Sequence, residues 1–302
     1  MKAENSTFKE YKGLIKFGIV VFVLISGVAG YFIGLNVEDS FSFWHLLAFV
    51  CGTFLISAGS LAFNQVQEIE RDKKMDRTAQ RPLVTGRFSK KGAFTLAVSH
   101  MLAGALILYF VSFNCMLFGL ITVVLYNGLY TLHWKPKFMF AAVPGAIPGA
   151  LPAPMGYLAT SPEGVFDKEL IYVFLVMFLW QMPHFWTLAI RYRDDYAKGG
   201  FPILPVIVGK QRTLYHISFY VFCYALVSIM SPYFVDTSFS YFFMVLPFCF
   251  MVVFAFFKYF RASEEKAWLP FFLWTNFSLL VFLYAPVIDK WLPFIKDVYQ
   301  YR

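Results

Sequence analysis

Long apolar segments separated by short charged loops determine what this chain can fold into. Each segment reaches the roughly 20 residues that a helix needs to cross the hydrocarbon core of a bilayer. Because a backbone in lipid must satisfy its own hydrogen bonds, we expect every segment to be helical. We therefore predict an all-α membrane protein with nine transmembrane helices, at about 14–35, 42–64, 92–112, 114–133, 139–159, 169–190, 213–233, 239–260 and 268–288.

The composition supports the membrane class and argues against a soluble domain. The chain is 59% hydrophobic and 21% aromatic, and only 15% of its residues are charged. Soluble domains carry about 25% charged residues. Because no internal repeat or second domain is visible, we predict that residues 1–302 form a single membrane domain. Its polar chemistry is then confined to short loops, chiefly those at about 65–91 and 191–212.

The distribution of basic residues predicts the orientation of the chain. With nine spans, 22 of the 26 Lys and Arg residues fall on the side of the N-terminus, and Lys168, Lys290, Lys296 and Arg302 fall on the other. Loops that are rich in Lys and Arg stay in the cytoplasm, so we predict a cytoplasmic N-terminus. The net charge of +8 then reflects orientation and indicates no nucleic-acid partner. Since no cleavable signal or transit sequence is recognisable, we expect a bacterial plasma (inner) membrane protein.

The densest polar cluster follows the second apolar run. Asn64, Glu68 and Asp72 are four residues apart, so on a continuing helix they share roughly one face. An amide and two carboxylates suit Mg²⁺, which also accepts phosphate oxygens. Arg77 and Arg81 can bind the same phosphates bidentately. This spacing predicts a Mg²⁺-diphosphate site, although a solvated loop whose acids merely pair with its bases would contain the same residues.

A second acidic pair lies in the loop after the sixth run. Asp194 and Asp195 are surrounded by Arg191, Arg193 and Lys198 on the same predicted side of the membrane. Two carboxylate clusters that face one substrate can bridge Mg²⁺ to its phosphates. We therefore predict a diphosphate cage shared by the two loops. Which of the two adjacent carboxylates binds metal stays open, and a charged interfacial turn is the competing interpretation.

The first cluster resembles the first Asp-rich motif of the UbiA superfamily of intramembrane prenyltransferases, Asn-x-x-x-Asp-x-x-x-Asp, with Glu68 in the middle position. Longer strings resemble the protoheme IX farnesyltransferase branch of that superfamily. The second loop departs from the superfamily's usual Asp-x-x-x-Asp pattern. The strings are acidic residues at 68, 70 and 72 followed by Met75, Arg77-Thr78 and Arg81-Pro82, then Pro-His-Phe-Trp at 183–186 and Arg-Tyr-Arg-Asp-Asp-Tyr at 191–196.

The resemblance implies a UbiA-type helical bundle that uses Mg²⁺ as cofactor. It implies farnesyl transfer from farnesyl diphosphate to a vinyl group of protoheme IX, with water addition, giving heme O. A heme A synthase would be a downstream partner. The implied catalytic residues are Asn64, Asp72, Asp195 and His184, the metal ligands are Asn64, Glu68, Asp72, Asp194 and Asp195, and the substrate-binding residues are Lys16, Arg77, Arg81, Tyr130, Lys135, Arg191, Arg193 and Lys198. Lys16 departs from the family pattern in the Phe17-Gly18 that follows it.

His184 lies inside the sixth apolar run, close to the second loop. In the heme context it would ligate iron, bond a propionate or transfer a proton. A histidine bonded within a polar bundle interior accounts for the same position, so both interpretations stay open.

Two other functions are compatible with parts of this pattern. A UbiA-type prenyltransferase acting on a quinone-precursor aromatic acid would share the first motif, but the strings at 183–186 and 191–196 favour heme. A cation-coupled transporter would use Asn64, Glu68 and Asp72 as its ion site. Transporters bind near the bilayer midplane at repeat interfaces, whereas these carboxylates cluster at one predicted membrane surface.

Overall fold

The apolar runs form helices, which confirms the all-α prediction. The computed structural model describes residues 2–262 and 267–300, so Lys266 and Arg302 of the charge count lie outside the described residues. Every regular element in those ranges is helical. The helices are α1 (Lys2–Leu14), α2 (Phe17–Gly34), α3 (Phe43–Asp72), α4 (Lys90–Val111), α5 (Phe113–Val123), a π-helix (Val124–Trp134), α6 (Lys135–Lys137), α7 (Ala142–Ala150), α8 (Pro152–Thr160), α9 (Lys168–Arg191), α10 (Arg193–Lys198), α11 (Leu204–Ile229), a 3₁₀ turn (Ser231–Tyr233), α12 (Phe239–Arg261) and α13 (Trp268–Gln300).

Seven helices in the described ranges are long and apolar enough to cross a membrane, with α5, the π-helix and α6 counted as one span, Phe113–Lys137. The predicted run 139–159 is instead divided between α7 and α8, each of nine residues. Proline contributes to this division, because Pro152 opens α8 and carries no N–H to continue the ladder of α7. The run 213–233 lies largely in α11, which is long but less apolar than the seven. The count of nine is therefore not confirmed, and the side of the N-terminus stays a prediction.

Small residues bring α2 and α8 into close contact. A Cβ atom at Gly30 would collide with the carbonyl of Ala153, and one at Gly156 would collide with the carbonyl of Gly27. Backbones approach this closely in membranes when glycine faces the neighbouring helix. Because α8 is held against α2 in this way, the preceding prolyl segment lines an internal cavity with Pro148, Gly149 and Pro152.

Large apolar side chains cover the outside of the bundle, as expected for a protein surrounded by lipid. Phe110 on α4, Phe219 on α11 and Phe243 and Phe250 on α12 are all well exposed. Lipid tails would cover these faces, so exposure here carries no penalty. Two buried carboxylates, Glu68 and Asp72, lie instead at one end of the internal cavity, whereas the buried Asp289 bonds Ser238 and Ser240 away from it.

Candidate active site

The main cavity has a volume of about 890 Å³ and is bounded by α2, α3, the π-helix, α7 and α9. This volume lies within the range of small-molecule sites, about 300–1,000 Å³. Its walls divide into a charged end and a largely apolar and aromatic interior. The charged end comprises Lys16, Glu68, Asp72, Arg77, Arg81 and Lys135, and the aromatic wall includes Phe22, Tyr126, Tyr130, Trp180 and Phe185.

The three residues of the predicted metal triad are buried along the last turns of α3, as their four-residue spacing predicted. Their exposed fractions are 1% for Asn64, 4% for Glu68 and 1% for Asp72. Buried carboxylates require a compensating partner, and each triad residue here contacts one basic side chain. The contacts are Lys16 Nζ to Asn64 Oδ1 at 2.5 Å, Lys135 Nζ to Glu68 Oε1 at 2.5 Å, and Arg81 Nη1 to Asp72 Oδ2.

One triad oxygen is left without a partner. Asp72 Oδ1 is buried and accepts no hydrogen bond, although its sister oxygen is paired with Arg81. A buried anionic oxygen without a partner is costly, and it is also the kind of ligand that Mg²⁺ prefers. No group of three or more His, Cys, Asp and Glu side chains forms a metal cluster in the described ranges. Glu68 and Asp72 line the cavity and fit Mg²⁺, which takes its remaining ligands from phosphate and water. Asn64 does not line the cavity, and its amide bonds Lys16 and Thr131, so metal ligation by Asn64 stays a prediction.

The π-helix packs against α3 and contributes aromatic groups to the cavity wall. Thr131 Oγ1 donates to the carbonyl of Tyr126, five residues earlier, and accepts from Asn64 Nδ2 at 3.0 Å. The rings of Tyr126 and Tyr130 are stacked with centroids 5.8 Å apart, and Lys135 follows one turn later. The hydrogen bonds of a π-helix run from residue i to residue i+5 and widen the turn, so groups spaced four to five residues apart share a face.

Two buried contacts fix this wall. Asn127, near the middle of the fourth predicted run, exchanges hydrogen bonds with Ser60 and Gln67 of α3. Gly145 leaves room for the Tyr130 ring, which a Cβ atom at that position would strike. Asn127 and Gln67 were not identified as site supports from the sequence. A polar amide inside an apolar run was the available signal for Asn127.

The two charged loops meet, as the cage hypothesis required. Asp195 Oδ2 accepts a hydrogen bond from the backbone N–H of Arg77 at 3.0 Å. Lys198 Nζ lies 2.6 Å from Asp76 Oδ2, and this hydrogen bond raises the pKa of the Lys198 ammonium. Asp194 is exposed, and neither Asp194 nor Asp195 lines the main cavity. The second loop therefore supports the first in this structure, and direct metal ligation by either carboxylate stays a prediction.

Three predicted diphosphate ligands lie away from the main cavity. Lys198 is exposed and pairs with Asp76. Arg191 and Arg193 line a separate cavity of about 230 Å³, together with Lys210, Tyr259 and Trp268. The reason is geometric, because α9 continues to Arg191 and the chain turns there beneath α12 and α13. The structure brings Lys16, Arg77, Arg81 and Lys135 together at the main cavity and does not bring these two arginines there. Tyr196, which the sequence analysis did not single out, lines the cavity instead.

His184 lines the main cavity on α9. Its ring lies between Trp180, with centroids 4.5 Å apart, and Phe272, at 4.9 Å. Its Nδ1 atom is buried and has no hydrogen-bond partner. An imidazole clamped between two aromatic rings with a free nitrogen has a fixed orientation and an unused bonding capacity. That combination is compatible with ligand contact. The ring also has a side-chain hydrogen bond with Asn276, so a histidine bonded within the bundle interior stays the competing interpretation.

Sequence comparison places this geometry among known proteins. Residues 23–277 match the UbiA prenyltransferase family. A protein of Bdellovibrio bacteriovorus named protoheme IX farnesyltransferase is 47% identical over 281 residues, covering 93% of this chain and 96% of the relative. A protein of the same name from Aquifex aeolicus is 38% identical over 221 residues, covering 71% of this chain and 74% of the relative.

Solved structures share the fold at low sequence identity. A digeranylgeranylglyceryl phosphate synthase structure matches with a TM-score of 0.74 and 17% identity, covering 94% of this chain and 98% of the other. A UbiA homolog from Archaeoglobus fulgidus bound to GPP and Mg²⁺ matches with a TM-score of 0.61 and 18% identity, covering 92% and 99%. These likenesses confirm the predicted UbiA-type bundle. With a family match over most of its length and a 47% identical relative along nearly all of it, the chain belongs to the UbiA prenyltransferase family.

Proposed function

We propose that this protein transfers the farnesyl group of farnesyl diphosphate to a vinyl group of protoheme IX, with addition of water, to give heme O and diphosphate. The observation that carries the proposal is one cavity with a charged end and a long aromatic interior. An amphiphilic prenyl diphosphate matches that division. The names of the relatives support protoheme IX as the acceptor.

Mg²⁺ is the metal that the triad fits. Asp72 would supply its unpartnered Oδ1, and Glu68 and Asn64 lie beside it on the same helix face. The A. fulgidus homolog with bound Mg²⁺ supports the choice of ion. When bound, the ion neutralises the diphosphate charge and so assists cleavage of the allylic C–O bond.

Basic side chains at the charged end would bind and stabilise the leaving diphosphate. Lys16, Lys135 and Arg81 each contact a triad residue, and Arg77 lines the same end of the cavity. Because these donors are already in place, they need little reorganisation as negative charge moves onto the leaving group. The bond to diphosphate breaks heterolytically, and both electrons leave with the diphosphate oxygen.

The aromatic wall would protect the allylic cation that remains. Tyr126, Tyr130, Trp180 and Phe185 line the interior, and aromatic faces attract positive charge. Exclusion of water there prevents hydrolysis before the acceptor reacts. The terminal vinyl carbon of protoheme then forms the new C–C bond. Water captures the resulting cation at the adjacent carbon and loses a proton, which completes the hydroxyethylfarnesyl group.

We propose further that His184 contacts the heme, either at its iron or at a propionate. Support comes from the position of its ring on the cavity wall and from its unpartnered Nδ1. Replacing His184 with Ala should weaken heme binding, measured by absorbance titration, and should leave the affinity for a prenyl diphosphate analogue unchanged. Normal heme affinity in this variant would remove the assignment.

The membrane setting is also part of the proposal. The charge asymmetry supports a bacterial inner membrane protein with its N-terminus and diphosphate site facing the cytoplasm, where a soluble diphosphate substrate is available. Heme O stays in the bilayer after synthesis, so a membrane-bound heme A synthase is the proposed consumer of the product.

One reaction tests the function. Purified protein in lipid nanodiscs is incubated with Mg²⁺ and farnesyl diphosphate, and either protoheme IX or 4-hydroxybenzoate is added as acceptor. We expect diphosphate release and a product with the mass of heme O only with protoheme. Prenylation of the aromatic acid alone would establish the quinone-precursor alternative, and the absence of diphosphate release with both acceptors would refute both activities.

A further inference from the structure

The connection between α1 and α2 contains a strained residue. Within the described ranges, Lys16 is the one non-glycine residue with a positive φ, at φ 51° and ψ 54°. A side chain rarely adopts this left-handed conformation, because its Cβ crowds the following carbonyl. Such strain persists where surrounding structure imposes it, and it concentrates at functional sites. The contacts that impose it here are therefore of functional interest.

The side chain of Gln65 on α3 is hydrogen-bonded to the α1–α2 connection. Its Nε2 donates to the carbonyl oxygens of Gly13 at 2.7 Å and Leu14 at 2.8 Å, where α1 ends. Gln65 is 1% exposed, and Leu14 and Ile15 are fully buried. The end of α1 and the start of α2 are thus fixed to α3 both by an amide and by apolar packing.

The fixed backbone directs Lys16 into the site. Its Nζ lies 2.5 Å from Asn64 Oδ1, and the side chain lines the charged end of the main cavity. Gln65 itself is absent from the cavity wall, so any effect it has on substrate must act through another residue. Its Oε1 is buried and accepts no hydrogen bond, which leaves the two carbonyl contacts as the polar role of the side chain.

We propose that Gln65 is a positioning residue for prenyl diphosphate binding, which holds the α1–α2 connection so that the Lys16 ammonium faces the diphosphate. The inference rests on the proposed function only in that the cavity must bind a diphosphate. It does not depend on heme as the acceptor.

A double-mutant cycle tests this coupling. Gln65→Met keeps the size of the side chain and removes its donor, and Lys16→Met removes the ammonium. The affinity for a non-cleavable farnesyl thiodiphosphate with Mg²⁺ is measured by isothermal titration. Loss of one charged hydrogen bond corresponds to a weakening of about tenfold to a hundredfold, which we expect in each single variant. The double variant should bind no more weakly than Lys16→Met alone, because Gln65 acts through Lys16.

Gln67→Met is the matched control, since Gln67 lies on the same helix and bonds Asn127 instead of the α1–α2 connection. Its effect on affinity should multiply with that of Lys16→Met, which distinguishes a specific coupling from general damage to α3. Wild-type affinity in Gln65→Met, or multiplicative losses in the Gln65→Met and Lys16→Met double variant, would overturn the inference. A wild-type protein that does not bind the analogue would instead refute the diphosphate site itself.

Discussion

Replacing Lys135 with methionine should lower the free energy of unfolding, because it removes one partner of a buried ion pair at the charged end of the cavity. Lys135 Nζ lies 2.5 Å from Glu68 Oε1, and the two side chains are only 14% and 5% exposed. Removing one partner of such a pair costs about 3–5 kcal/mol, because the other charge remains buried. Lys16 and Arg81 also act on the Glu68 carboxylate. We therefore expect a loss near the lower limit, about 3 kcal/mol.

The free energy of unfolding is measured by circular dichroism at pH 7 in mixed detergent micelles. Adding Glu68→Gln to Lys135→Met should recover about 1.5 kcal/mol or more, since the uncompensated charge is then absent. Lys137→Met is the matched control on α6, because Lys137 is exposed, and it should change stability by less than about 0.5 kcal/mol. If Lys135→Met is as stable as wild type, or if the double variant gains nothing over the single one, the ion-pair reasoning is refuted.

Three further predictions address other parts of the site. Asp72→Asn keeps an acceptor for Arg81 and removes the metal-binding charge, so farnesyl transfer should fall about 10²-fold or more in protein that is still folded by circular dichroism. Undiminished turnover would contradict the metal assignment. Lys16→Gly should be more stable than Lys16→Ala by about 1–2 kcal/mol in chemical unfolding, because glycine has no Cβ to strain the left-handed backbone. Equal stabilities would argue against strain. Asp76→Asn should leave the melting temperature unchanged, because the ion pair with Lys198 is exposed to solvent. A clear fall in melting temperature would show that this pair stabilises the protein despite its exposure. Any contribution of that pair, which raises the Lys198 pKa, should be complete below the ordinary lysine value and disappear as pH rises through the raised one.

The common face of Asn64, Glu68 and Asp72 on α3 could be predicted from the sequence, because a helix repeats every 3.6 residues regardless of its surroundings. Asn64 and Asp72 therefore fall on one buried face even though α3 continues eight residues beyond the predicted run 42–64. The contact between the loops at about 65–91 and 191–212 could also be predicted, because both loops were predicted to lie on the same side of the membrane. Apolar periodicity and charge distribution were sufficient for these features.

Features imposed by tertiary contacts were not readable in the same way. The first predicted run, 14–35, gave no sign of the break at Lys16, because Gln65 lies 49 positions away in the chain and supplies the contacts there. The π-helix was equally hidden, since a change of hydrogen-bond register leaves the apolar pattern of residues 114–133 intact. The positive charge of Arg191 likewise could not indicate that this residue lines a second cavity.

The location of the metal and diphosphate tests the central claim most directly. Crystals grown with Mn²⁺ in place of Mg²⁺ and with farnesyl thiodiphosphate would reveal the ion through its anomalous scattering. We expect one anomalous peak or more within coordination distance of Asp72 Oδ1, with the diphosphate between that ion and Lys16, Arg81 and Lys135. A diphosphate bound away from this end of the cavity, or an ion that does not contact Asp72, would contradict it.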